Sequence, residues 1–386
     1  MAPRQNERLA DGIAAALLTW AFPPSLVDDV VAAAGRTEQR SRTLSARTMV
    51  YYVLAMWLYP SAGYEEVLRR LMLGLSRKHH WAHDWRMPSP SALTQARRRL
   101  GPAPLRLLFR TVAARAPEHA LRGVRRPIAL DVVTLGVADT PANREHFGTA
   151  PTGAGGAGPR VRVAALGHCG TRAVLDAALG PPALGEPDLA GDLLPALGKG
   201  SLLLAGLETL SVALWRKAAA TGADLLWRAG ADWSLPVVRV LADGSYLSRL
   251  AEPAAPGAAP AAALPVRVIS YAGREGSVDR LVTTMLAPDE AAASGLIHAH
   301  RTRWRLSDTL GDISADGLPE VDLLRSRCPE LVEQEIWAML LIHHAVRGLL
   351  VDPRDPSRRS EEDPANPVRP VRLIQPDRLS PDPRSC

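Results

Sequence analysis

PIALDVVTLGVADTPAN, residues 127–143, is the stretch that decides the fold. Its apolar run, rich in β-branched residues, predicts a buried strand over residues 128–137. Asp131 puts one carboxylate in the middle of that strand. Because a buried carboxylate without a partner is costly, a stray polar residue is a poor interpretation of Asp131.

The charge of the chain is distributed unevenly about this strand. Residues 1–126 hold 20 Lys and Arg against 9 Asp and Glu, whereas the remaining residues hold 26 against 31. A basic first third before an acidic remainder indicates that the N-terminal part meets a polyanion such as nucleic acid. An arginine-rich solvated face would produce the same pattern.

The basic part has the apolar periodicity of helices. Helices are predicted over residues 25–34 with Ser25 as the cap, over 46–59 before Pro60, over 64–73 with Gly74 as the terminator, and from Ser91 to a glycine at residue 101.

Five cations in this part are candidate DNA contacts. Two lie in the basic and aromatic segment SRKHHWAHDWR, and three lie at the end of the helix that begins at Ser91. Arginines at a helix C-terminus also suit its dipole whatever the function. His79 or His80 with His83 could supply two metal ligands, but no third ligand follows. The candidates are Arg77, Lys78, Arg97, Arg98 and Arg99.

Strands and helices alternate after Asp131. The patterns predict strands over 160–167, 172–179, 201–205 and 223–228, helices over 187–197 and 210–221, a β-rich stretch over 235–285 with a hairpin at Asp243-Gly244, and helices over 289–310 and 329–350. Residues 352–386, rich in proline and charge, are predicted to be mostly disordered.

The amino-acid sequence resembles those of DDE transposases of bacterial insertion sequences, of the insertion-element-4 type. The resemblance is carried by the Asp131 strand, by residues 22–71 (FPPSLVDDVV to VLRRL) and by PSPSALTQARRRLGPAPLRLLF at 88–109. It implies an α/β fold in which a helical N-terminal domain precedes a ribonuclease-H-like mixed-sheet core that carries a β-rich insertion. The implied parts are a DNA-binding domain (1–125), the first part of the core (126–232), the insertion (233–287), the closing helices (288–351) and the tail (352–386).

In this family three carboxylates bind the catalytic metal ions, and the resemblance implies Asp131 as the first. Phosphodiester chemistry of this type uses two divalent cations ~3.5 to 4 Å apart, which prefer carboxylate ligands. Where the family reads LLLADRGFYS, this chain reads LLLAGLETLS, which puts Gly206 at the second acid. Glu208 lies two residues on, ~7 Å further along an extended strand, and is a poor substitute.

The third acid belongs to the family pattern Y-(2)-R-(3)-E-(6)-K. Aligning Arg303 with its arginine puts His300 at the tyrosine, Ser307 at the glutamate and Ser314 at the lysine. On a continuous helix Asp308 would be turned ~100° away from residue 307, and Asp312 would lie ~7.5 Å further along the axis. Two of the three predicted metal ligands are therefore absent from their aligned positions. Glu335, in the closing helix, could be a structural ion-pair partner or a catalytic group.

The first functional hypothesis is a transposase-derived protein that binds double-stranded DNA without phosphoryl transfer. It needs no cofactor, and Mg²⁺ would bind only if activity remained. A second is an enzyme of different chemistry in the vacated cleft, with His168 and Cys169 near it. A third is an active transposase with displaced ligands. The sequence is compatible with either a monomer or a homodimer.

Cysteine use and hydropathy bear on the cellular compartment. The three cysteines, Cys169, Cys328 and Cys386, are too few and scattered for a disulfide framework. No apolar run reaches the ~20 residues of a membrane-spanning helix, and the N-terminus lacks the pattern of a signal peptide. We therefore expect a cytoplasmic protein without a membrane partner.

Overall fold

The computed structural model describes residues 5–40, 44–76, 87–114, 125–148, 158–207, 209–251, 263–273, 277–307 and 324–350. Several residues discussed above lie outside these ranges. They are Arg77, Lys78, His79, His80, His83, Glu208, Asp308, Asp312, Ser314, Cys386 and the tail.

Six helices form the N-terminal part. They are α1 (Gln5–Ala21), α2 (Pro24–Ala33), α3 (Ala46–Leu58), α4 (Tyr64–Ser76), α5 (Pro90–Leu100) and α6 (Ala103–Ala113). Helix α3 is the central one, with eleven of its thirteen residues buried, and Ser45 caps it by accepting a hydrogen bond from the Thr48 N–H. Ser89 caps α5 in the same way, and Gly101 follows α5 with a φ of 65°.

Two of the predicted helix ends are wrong. Ser25 is not a cap, because α2 begins one residue earlier at Pro24, whose fixed φ and missing N–H suit the first helical position. Gly74 does not end α4, which continues to Ser76. A Cβ at residue 74 would lie 2.6 Å from both the Ala15 Cβ and the Asp11 carbonyl oxygen, so this glycine allows α1 and α4 to pack closely.

The core is built on one nine-stranded sheet. Its strands are β1 (Arg126–Gly136), β2 (Arg160–His168), β3 (Val174–Gly180), β4 (Ser201–Ala205), β5 (Asp224–Ala229), β6 (Arg239–Val240), β7 (Tyr246–Leu250), β8 (Leu264–Ala272) and β9 (Val278–Thr283), in the order β3-β2-β1-β4-β5-β9-β8-β7-β6. The first three are antiparallel, and β4 and β5 run parallel to β1. This ribonuclease-H-like order confirms the predicted fold class.

The predicted β-rich insertion extends the same sheet. β9 pairs antiparallel with β5, and β8, β7 and β6 follow outward. The hairpin predicted at Asp243-Gly244 joins β6 to β7, with Gly244 at a φ of 82°.

Five further helices cover the sheet in the described part of the chain. They are α7 (Pro141–Phe147), α8 (Glu186–Gly191), α9 (Val212–Ala220), α10 (Ala293–Arg301) and α11 (Pro329–Leu350). The single helix predicted over 187–197 is wrong, because α8 is followed by a separate 3-10 turn, Leu194–Ala196. The helix predicted over 289–310 is also wrong, because α10 ends at Arg301 and helical structure resumes only at Leu306.

Helix α11 joins the two parts of the molecule. A single hydrophobic cluster contains side chains from α1 to α6, from β1 to β3 and from α11. The indole N–H of Trp57 donates to the Glu335 carbonyl at 2.7 Å, and the rings of Phe109 and Trp337 are 5.5 Å apart. The opposite face of the sheet packs against α8 and α9, where Trp215 and Trp227 are in contact.

Within the described residues, no single helix is long and apolar enough to cross a membrane; α1 and α2 pass that test only as a bent pair.

Candidate active site around Asp131

The strand register brings the first two aligned positions together. Leu130 pairs with Ala205, and Ala205 pairs with Trp227. The next residues along these three neighbouring strands are Asp131, Gly206 and Arg228. Because side chains alternate along a strand, these three positions face away from the cluster that holds Leu130, Ala205 and Trp227, and toward the side that carries α10.

Asp131 is held by the chain that follows α10. It is half-buried, and its Oδ2 accepts a hydrogen bond of 2.8 Å from the backbone N–H of Leu306. Leu306 is fully buried, and Ser307, at the position of the third acid, is exposed. The two positions expected to carry acids thus carry a half-buried glycine and an exposed serine.

Arg303 lies in the break between α10 and Leu306. Its Nη1 donates to the His300 carbonyl at 3.2 Å, and its Nε is buried without a hydrogen-bond partner. Burial lowers the pKa of this guanidinium, as does the neighbouring Arg305, whereas the Asp131 carboxylate opposes the shift. Arg303 is therefore a desolvated cation close to Asp131.

His300 fixes the end of β4. Its side chain is 3% exposed, and its Nε2 lies 3.0 Å from the carbonyl oxygen of Ala205. Burial, together with the nearby charge of Arg303, lowers the pKa of the ring to about 4. The ring is therefore neutral at pH 7, with Nε2–H donating to the carbonyl.

Several residues of the cleft were missed by the sequence interpretation. Arg228 pairs with Asp279 at 2.5 Å, and only the pairing of β4 with β5 brings it beside Gly206. The Trp304 ring packs directly on Gly167, where a Cβ would overlap it. No sequence signal marked these contacts, because they join residues far apart in the chain.

The two side chains proposed near the cleft for a different chemistry are differently placed. The Sγ of Cys169 is near the backbones of Trp304 and Ala129, and burial raises the pKa of its thiol. The Nδ1 of His168 accepts from the Thr171 N–H at 3.0 Å. Cys169 therefore adjoins the cleft, and His168 is engaged by its own turn.

The described residues do not fit a pair of divalent cations. Among them, no three His, Cys, Asp or Glu side chains are grouped so that they could hold a metal ion. Asp131 lies beside Gly206 on the neighbouring strand, and part of its hydrogen-bonding capacity is used by Leu306. Glu208, Asp308 and Asp312 are outside the described ranges.

The three arginines of α5 are not equivalent. Arg97, predicted to contact DNA, is 3% exposed and turned inward. It donates to the Gln334 side chain, to Ser326 Oγ and to the Leu331 carbonyl, and its Nη2 is 3.7 Å from Glu335. A DNA contact by Arg97 is therefore corrected to a structural role, and Glu335 is its buried partner. Arg98 and Arg99 are exposed.

Comparison with known proteins shows which proteins this chain is similar to. A family model described as the insertion element 4 transposase N-terminal domain matches residues 13–110. The transposase InsG for insertion sequence element IS4, from Escherichia coli strain K12, is 27% identical over 340 residues, which cover 85% of this chain and 75% of InsG. Over most of its length, the chain is similar to an insertion element 4 transposase.

Two further similarities accompany this relationship. The putative transposase InsZ of the same strain is 34% identical over 120 residues, which cover 30% of this chain and 40% of InsZ. A solved structure of the piggyBac transposase synaptic complex with hairpin DNA covers 92% of this chain and 79% of its own, at 10% identity and a TM-score of 0.43. The resemblance to insertion-element-4-type transposases is confirmed for this chain.

Proposed function

We propose that this transposase relative binds double-stranded DNA and no longer catalyses phosphoryl transfer. The observation that carries the proposal is the strand register beside Asp131, where the neighbouring position is Gly206. Two cations ~3.5 to 4 Å apart need several carboxylates, and one carboxylate cannot hold both.

The DNA-binding part of the proposal is supported by the family match over residues 13–110 and by the exposed arginines of α5. Arg98 and Arg99 are free to meet phosphates, whereas Arg97 holds α5 against α11. Phosphate contacts of this kind give affinity that falls steeply with salt.

The test of DNA binding measures the affinity of the full chain for a pool of random-sequence duplexes at rising salt concentration. We expect salt-dependent binding, and we expect the double variant Arg98→Ala, Arg99→Ala to weaken it and to reduce the logarithmic salt slope by about 2, or about 1 per lost phosphate contact. Arg144→Ala is the matched control, since Arg144 lies outside the N-terminal helices, is exposed and is paired with Asp139. If the double variant binds DNA with the affinity and salt dependence of the wild type, Arg98 and Arg99 do not contact phosphates.

Catalytic inactivity is tested by incubating the protein with supercoiled DNA and Mg²⁺ or Mn²⁺ and measuring nicking of the DNA. We expect no nicking above that of a heat-denatured sample. Metal-dependent nicking that Asp131→Asn abolishes would restore the hypothesis of an active transposase with displaced ligands. A small molecule bound in the cleft of a chain with no DNA affinity would instead favour a different enzyme chemistry.

A further inference from the structure

We propose that Asp131, the remaining carboxylate of the family's metal site, is an internal anchor that holds the segment between Arg303 and Ser307 in the cleft. The inference rests on the loss of metal binding in the proposed function and is independent of DNA binding. It assigns to Asp131 two tasks, one as a hydrogen-bond acceptor and one as a counter-charge.

The first task follows from the break after α10. The helix ends at Arg301, the next four residues are not helical, and helical structure resumes at Leu306. A backbone N–H at such a restart has no helical carbonyl behind it and needs another acceptor. The Oδ2 of Asp131, 175 residues earlier in the sequence, accepts from the Leu306 N–H at 2.8 Å.

Burial makes this hydrogen bond important. Leu306 is 0% exposed and Trp304 is 3% exposed, and both belong to the main hydrophobic cluster. The Trp304 ring lies on Gly167, so the segment is fixed against β2. Water therefore has poor access to the Leu306 N–H, and its loss of an acceptor would carry a full desolvation cost.

The second task follows from the charges about Arg303. Arg303 is half-buried, and its Nε is buried without a hydrogen-bond partner, so water solvates its charge poorly. Two neighbouring cations, Arg305 and Arg228, lower the pKa of the guanidinium, and the Asp131 carboxylate raises it. The Asp131 carboxylate thus offsets a desolvated positive charge from within the fold.

The experiment measures amide hydrogen exchange at Leu306 and the melting temperature of the full-length protein. We expect Asp131→Ala to speed exchange at Leu306 at least tenfold and to lower Tm by several degrees. Asp131→Asn keeps an acceptor and should preserve most of the protection at Leu306. The control is Asp139→Ala, since Asp139 is exposed in the segment after β1, and it should change neither quantity.

A double-mutant cycle keeps the inference testable if Asp131→Ala does not fold. We expect Asp131→Asn to lower Tm less in an Arg303→Met background than in the wild type, because the charge that it offsets is gone. Equal effects in the two backgrounds would overturn the counter-charge role, and unchanged exchange at Leu306 in Asp131→Ala would overturn the anchor. A rise in wild-type Tm with MgCl₂ that Asp131→Asn removes would return Asp131 to metal binding. A failure of the protein to bind DNA would contradict the proposed function, but it would not change the expected exchange rates and melting temperatures.

Discussion

At the scale of single residues, the cleft contains a titratable group whose environment sets its charge. His300 is nearly inaccessible to solvent, and its ring joins α10 to the Ala205 carbonyl at the end of β4. Burial and Arg303 lower its pKa from 6.5 to about 4. The protonated ring would be a buried cation beside another cation.

We predict that acid weakens the fold through His300. The unfolded state takes up a proton near pH 6.5 and the folded state near pH 4, so the stabilisation is complete above pH 6.5 and is lost as pH falls toward 4. The pKa difference corresponds to about 3 kcal/mol of unfolding free energy. Urea unfolding at pH 7.5 and at pH 4.5 should measure it.

His300→Gln retains an N–H donor for the Ala205 carbonyl but cannot titrate, so it should flatten this pH dependence. His298→Gln is the control, because His298 is an exposed histidine on the same helix. The explanation fails if both variants keep the pH dependence of the wild type.

Motif alignment predicted four positions of the candidate site but not the residues that contact them. Asp131, Gly206, His300 and Arg303 were found by aligning motifs, and the strand register and hydrogen bonds link all four to one cleft. Arg97 was misjudged because a triplet of arginines on a short helix does not reveal which one faces a neighbouring helix. That choice depends on Gln334 and Glu335, more than 230 residues away.

At the scale of elements, the packing of α1 on α4 depends on one glycine. We predict that Gly74→Ala destabilises the protein by about 1–3 kcal/mol, because its Cβ would overlap Ala15 and the Asp11 carbonyl and force the helices apart. Gly295→Ala in α10 is the control, since a Cβ there meets nothing within 4 Å and should be neutral or stabilising by up to ~1 kcal/mol. Urea denaturation of the two variants checks the difference, and equal stability would contradict it.

Elements with a strong pattern were predicted well, and those shaped by tertiary contacts were not. The strand Ser201–Ala205 and the helix Pro329–Leu350 have the predicted bounds, because a short, almost fully apolar run and a long, mostly buried helical run leave little choice. The helix predicted over 289–310 is interrupted after Arg301. Trp304 and Leu306 are buried in the main cluster, and a helix that continued beyond Arg301 would not place both side chains there. Local periodicity carries no information about that burial.

At the scale of the whole molecule, the N-terminal helices do not complete their own core. Trp57, Arg97 and Phe109 all meet α11, through a hydrogen bond, a buried ion pair and a ring contact. We predict that a fragment of residues 1–125 lacks cooperative unfolding, because it exposes the apolar surface that α11 covers and removes the Gln334, Ser326 and Glu335 partners of Arg97. Near-UV circular dichroism during heating of the fragment and of the full chain measures this.

The full chain is the positive control and should melt in a single cooperative step. Adding a synthetic peptide of residues 324–350 should restore part of the near-UV signal of the fragment. A fragment that melts cooperatively at the temperature of the full chain would show that the six helices form an independent domain.

The position of α11 also constrains how the protein matures on the ribosome. The first six helices emerge long before residues 329–350, and translation at 5 to 20 residues per second separates the two by roughly 10 to 50 s. During that interval the nascent chain presents an unfinished apolar groove between α3 and α6. Rapid translation, or a chaperone that covers the groove, would raise the yield of folded protein more than any change confined to the N-terminal helices.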